Sequence, residues 1–85
     1  MTENDLYFEL AMEMEGINFE FETNKHGYTA IKCTHKESNK SIVLVGVNIK
    51  QIVKEGQGKV GTVNFYPSDI MADIKLSFNK IGIHI

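Results

Sequence analysis

Apolar residues recur along this chain first at helical spacing, then at strand spacing, then at helical spacing again. Between Asn4 and Glu15 the row Leu6, Leu10, Met14 repeats every fourth residue, with Tyr7 and Ala11 beside it and Phe8 and Met12 continuing the apolar surface round the back. This predicts a helix closed by Gly16, with an apolar arc too broad to be covered from one side. From Ile17 to Glu22 apolar and polar residues alternate strictly, which predicts a half-buried strand. Asn24 to Gly27 supplies a hairpin loop and Tyr28 to Lys36 a second strand. Pairing the two about Lys25 sets Ile17 opposite Cys33, Phe19 opposite Ile31 and Phe21 opposite Thr29. The large apolar groups then share one face, leaving Asn18, Glu20, Ala30 and Lys32 on the other.

Glu37 to Lys40 reads as a second turn and Ser41 to Val47 as a third strand. That strand is apolar on both sides, with Ile42 and Leu44 toward the core and Val43, Val45 and Val47 on the far face, a pattern usually covered twice. Asn48 to Glu55 suits either a short helix or a hairpin arm, and the hairpin is favoured because Val60 to Tyr66 is strand-like. Pro67 ends that run, and Ser68 can cap a helix from Asp69 to about Lys80 that carries Ile70, Ile74, Phe78 and Ile81 on one face. The alternation from Asp73 to Phe78 leaves a strand open there. After Gly82, Ile83 to Ile85 suggests a short final strand. The expected fold is α+β: an antiparallel β-meander of four to five strands with an N-terminal and a C-terminal helix, in one domain spanning residues 1–85.

Composition narrows the classes. With a single cysteine, Cys33, no internal disulfide is possible, and a cytoplasmic setting is expected because small secreted domains are typically cross-linked. No basic start precedes an apolar stretch, so no signal peptide is expected. The longest apolar run, Ile42 to Val47, falls far short of the ~20 residues that span a bilayer, so no membrane partner is expected. All nine basic residues are lysines, and tryptophan is absent. Abundant Lys, Ile and Asn suit an AT-rich bacterial or phage genome.

Charge is the most uneven property of the chain. Residues 1–24 hold seven acids and no base, whereas the remainder holds nine lysines and four acids, for a net charge of −2. Asp5, Glu9 and Glu13 form an acidic row along the first helix, where like charges at that spacing oppose one another. Glu20 and Glu22 extend the acidity onto the first strand. Replacing Asp5, Glu9 and Glu13 together is therefore expected to leave folding unchanged or slightly improved. Without arginine, and with a negative net charge and no helix that concentrates bases, a nucleic-acid partner is not expected.

Gly56-Gln57-Gly58-Lys59-Val60-Gly61-Thr62-Val63 fits G-x-G-x-x-G-x-V and resembles the glycine-rich loop of protein kinases. The resemblance covers eight residues only. Neither a His-Arg-Asp nor an Asp-Phe-Gly motif follows, which excludes a kinase, and a dinucleotide fold would need a helix after the glycines. What remains is a ligand- or nucleotide-binding loop of Gly56, Gly58, Lys59 and Gly61, set at a subunit interface. Cys33 and His35 share a strand face, but no further ligand completes a metal set and the face is the apolar one. No catalytic residue, metal or cofactor is expected.

The function these features favour is a non-catalytic protein-interaction module, with Asp5, Glu9, Glu13, Glu20 and Glu22 meeting a basic protein partner. Its specific form is a small acidic inhibitor, encoded by a phage or plasmid, that occupies a host nucleic-acid-binding or defence protein. The alternative is the ligand-binding loop. A homodimer is also expected, from the broad arc of the first helix and the valine stripe.

Overall fold

The turn after the first strand decides how the sheet is paired. In the computed structural model, which describes residues 1–85, the Asn24 side-chain oxygen accepts from the backbone N–H groups of His26 (2.9 Å) and Tyr28 (3.1 Å). The backbone N–H of Asn24 donates to the Tyr28 carbonyl (2.9 Å), so the loop closes about His26 and not Lys25. Ile17 therefore lies opposite His35, Phe19 opposite Cys33 and Phe21 opposite Ile31. This corrects the expected register by two residues. A shift of two keeps every side chain on its expected face.

The elements in order are α1 (Glu3–Glu13), β1 (Ile17–Thr23), β2 (Thr29–His35), β3 (Lys40–Val47), a 3₁₀ turn (Ile49–Gln51) and α2 (Pro67–Lys80). The fold is α+β: an N-terminal helix, a three-stranded antiparallel meander in the order β1-β2-β3, and a C-terminal helix. Leu6 and Leu10 of α1, Met14 just after it, and Ile70, Ile74 and Phe78 of α2 bury against Ile17, Phe19, Ile31 and Cys33 of the sheet. Both helices thus cover one face, and the molecule has two layers. The opposite face, carrying Glu20, Glu22, Lys32, Val43 and Val45, is open.

Val47 departs from the expected face. The pairing of β2 with β3 is regular from His35 and Lys40 to Ile31 and Leu44, then shifts so that Thr29 meets Val47. Val45 and Gly46 together fill the space opposite Ala30, a bulge made possible by the positive φ of Gly46 (72°). The extra residue reverses the alternation and turns Val47 onto the core, where it packs as a partly buried neighbour.

No fourth or fifth strand forms. Residues 48–66 contain the 3₁₀ turn and one isolated parallel bridge, Ile52 with Phe65. The Asn64 side chain explains why Val60 to Tyr66 is not a ladder. Its amide accepts from the Lys59 N–H (3.1 Å) and donates to the Lys59 carbonyl (3.0 Å), taking groups a hairpin would need. Val60 and Val63 are consequently exposed.

α2 begins earlier than expected. Pro67 occupies its first turn, and the Tyr66 N–H donates to the Asp69 carboxylate (2.8 Å), so Asp69 and not Ser68 supplies the cap. The Ser68 N–H instead donates to Glu55 (3.2 Å). Residues 73–80 are helical. Ile83 does not start a strand, because beyond Gly82 its N–H returns to the Phe78 carbonyl (3.0 Å) and its side chain is buried.

Candidate functional site

The outer face of α1 is the candidate. The helix starts from a reciprocal cap: the Asp5 N–H donates to the Thr2 hydroxyl (3.1 Å) and the Thr2 N–H to the Asp5 carboxylate (3.1 Å). Hydrogen bonding to the carboxylate from Thr2, its backbone N–H first and its side chain second, holds the Asp5 carboxyl below the ordinary range, with lesser help from the Lys54 charge. Asp5 is therefore a structural acid. Neutralising it removes a cap, which corrects the expectation that all three carboxylates can be replaced without harm to the helix. Because the folded group has the lower pKa, its contribution is present above the ordinary value of 3.8 and disappears as pH falls through the folded value. On acidification below pH 4, α1 should lose amide protection in the wild type, and Asp5→Asn should blunt that pH dependence. An identical acid profile in both would remove this role.

Glu9 and Glu13 follow Asp5 along the row, Glu9 partly buried and Glu13 exposed. Alongside the row stand Phe8, 65% exposed, and Met12, 76% exposed. Asp5, Phe8, Glu9, Met12, Glu13 and Lys54 line one shallow depression. Exposed apolar side chains thus lie beside three carboxylates, with one lysine on the same face. The sequence pattern showed Phe8 and Met12 as apolar positions in need of cover. That Lys54 comes to the same face is a tertiary fact with no local signal.

Glu20 and Glu22 do not join this row. They project from the open face of the sheet, on the layer opposite α1, and Glu20 lies across from Lys32. The five acids thus fall on two surfaces. Glu3, outside that set, accepts from the Thr23 hydroxyl (2.7 Å) and ties α1 to the end of β1.

In the loop of Gly56, Gly58, Lys59 and Gly61, two backbone amides are engaged internally. The Gln57 N–H donates to Lys54 (3.0 Å) and the Lys59 N–H to Asn64 (3.1 Å). Gly58 packs against the Tyr66 and Asn64 side chains so closely that a Cβ would collide, which gives its lack of a side chain a packing reason.

Cys33 is fully buried, and burial pushes its thiol up to about 12. A thiol so placed is inert. Labelling of native protein by a disulfide reagent at pH 8 should run about a thousandfold slower than labelling of unfolded chain. Since the folded thiol has the higher pKa, stability should decline as pH rises from 9 toward 12. Rapid native labelling would contradict the sealed site. His35 beside it shares a hydrogen bond with the Ser38 hydroxyl (2.7 Å) and accepts at Nδ1 from the Ser38 N–H (3.2 Å), as part of the β2–β3 turn. No group of three or more His, Cys, Asp or Glu side chains is placed to hold a metal ion, and no helix is long and apolar enough to cross a membrane. Compared with family models, with curated proteins and with solved structures, the chain matches none.

Proposed function

We propose that this protein is a non-catalytic interaction module that binds a basic protein partner through the outer face of α1. The observation that carries this reading is the exposed pair Phe8 and Met12, which lines one depression with Asp5, Glu9 and Glu13. Scattered exposed apolar side chains are ordinary, but two on one helical turn beside an acidic row form a patch. In its specific form the partner is a protein whose basic groove otherwise takes phosphate, and the module inhibits it by occupying that groove with carboxylates, as phage- or plasmid-encoded inhibitors would.

The test is affinity purification from the native host with mass spectrometry, followed by titration of the recovered partner. Glu9→Gln with Glu13→Gln spares the Asp5 cap and should leave the helix intact. It should weaken binding more than tenfold, which needs ~1.4 kcal/mol. Wild-type affinity should also fall as salt rises, and the double variant should show a shallower dependence. Undiminished binding by the folded double variant would return the row to a solvated surface. No observation favours the alternative loop site.

A further inference from the structure

The most apolar run of the sequence contains no buried residue. Across β3, Ile42 and Leu44 on the core face are only partly buried, while Val43 is 53% and Val45 77% exposed on the open face. β3 is also an edge strand. The direction of its free hydrogen-bonding groups follows from the ladder. The Asn24 N–H bonds the Tyr28 carbonyl and the Lys36 N–H the Gly16 carbonyl, so the even-numbered residues of β1 and β2 bond each other. The odd residues of β2 must then bond β3, through the pairs Cys33 with Ile42 and Ile31 with Leu44. Ser41, Val43 and Val45 consequently direct their N–H and C=O groups away from the sheet.

We infer that this edge is the self-association surface of the protein: β3 pairs antiparallel with β3 of a second copy, joining the two three-stranded sheets into one. Three features select a second copy as the occupant. First, the free groups are self-complementary. A two-fold axis at Val43 pairs Val43 with its own counterpart and Ser41 with Val45 of the second copy, so every outward group from Ser41 to Val45 is bonded. Second, the same register sets Ile42 beside Leu44 of the second copy, adding cover on the core face where the monomer leaves both partly exposed. Third, charge permits it here and opposes it at the other edge. No charged residue lies between Lys40 and Lys50, and the axis puts Lys40 across from Gly46, where the bulge ends the regular strand. The β1 edge carries Glu20 and Glu22, which block edge-to-edge pairing in the usual way. β3 carries no charge from Ser41 to Val45, and its bulge and Lys40 fall at the two ends of that stretch.

Two variants and one exchange measurement test this. Val43→Pro removes an N–H that the monomer does not use, so the β2–β3 ladder should survive while the central pair across the axis is lost. Val43→Lys places two like charges face to face at the axis, on a side chain that is exposed in the monomer. Light scattering of the wild type at tens of micromolar should give twice the 9.6 kDa chain mass, and Val43→Lys should give the chain mass with an unchanged circular dichroism spectrum. Should Val43→Pro fail to fold, Val43→Lys decides alone. Amide exchange adds a signature that a general loss of stability cannot imitate. Protection of Ser41, Val43 and Val45 should rise with protein concentration while that of Ile42 and Leu44 stays constant. A wild-type chain that remains at 9.6 kDa at about 100 µM, which is also the outcome if a different polypeptide occupies the edge, overturns the proposal. So does a dimer that persists in folded Val43→Lys.

Discussion

Phe78→Ala should cost ~3–5 kcal/mol and markedly lower the urea midpoint of unfolding. Phe78 is completely buried near the C-terminal end of α2, its ring 6.2 Å from that of His35 and its carbonyl accepting the N–H groups of Ile81 and Ile83. Truncation leaves a cavity bounded by a sheet on one side and helix on the other, neither free to collapse into it. A domain of this size holds only ~5–10 kcal/mol in reserve, so a loss of this order is a large share of what it has. Urea titration followed by circular dichroism measures it. Ile81→Ala is the internal comparison: Ile81 was expected on the same buried face but is 41% exposed, and its truncation should cost ~1 kcal/mol or less. Equal costs for the two would mean that α2 does not pack as described.

Gly46→Val should be the more revealing change, at ~2 kcal/mol. The positive φ at Gly46 is strongly disfavoured for a β-branched residue. The variant can keep the bulge under strain, or it can give up the bulge and let the new side chain take the place opposite Thr29. The second course sends Val47 to the open face and drags the following segment, with buried Ile49 and Ile52, out of position. Deleting Gly46 is predicted to be milder, because the shortened strand still brings Val47 opposite Thr29 with Ala30 facing Val45. Urea midpoints that rank deletion below substitution would show instead that the bend itself, and not the face of Val47, is what the bulge supplies.

That bulge also marks where the sequence stops being readable. Alternation from Ile17 to Leu44 assigns each side chain to its face correctly, since period two is a local property of the backbone. The register needed one more fact, the Asn24 side chain closing its loop about His26, and missed by two residues without consequence for the faces. Val43, Val45 and Val47 look equivalent as letters, and only the conformation of Gly46 separates the third from the others. The stretch 48–66 failed for another reason. Its β-branched residues favour strands, but a strand needs a neighbour, and Asn64 satisfies the Lys59 backbone from within. For the candidate site, the acids and apolar residues of α1 were visible as a pattern. The separation of Glu20 and Glu22 from that face, and the structural role of Asp5, depend on which layer each element occupies and on the reciprocal cap with Thr2.

The core joins Leu6 and Leu10, near one end of the chain, to Ile74 and Phe78, near the other. In vectorial synthesis the meander can pair as soon as it emerges, because its contacts are between neighbours in sequence. Its apolar face, however, has only α1 to cover it until α2 has been made. A nascent chain halted before residue 67 therefore presents a half-roofed sheet together with an unpaired β3 edge, and those are the conditions under which chaperone capture or misassembly competes with folding. Synthesis of α2 is what ends this exposure.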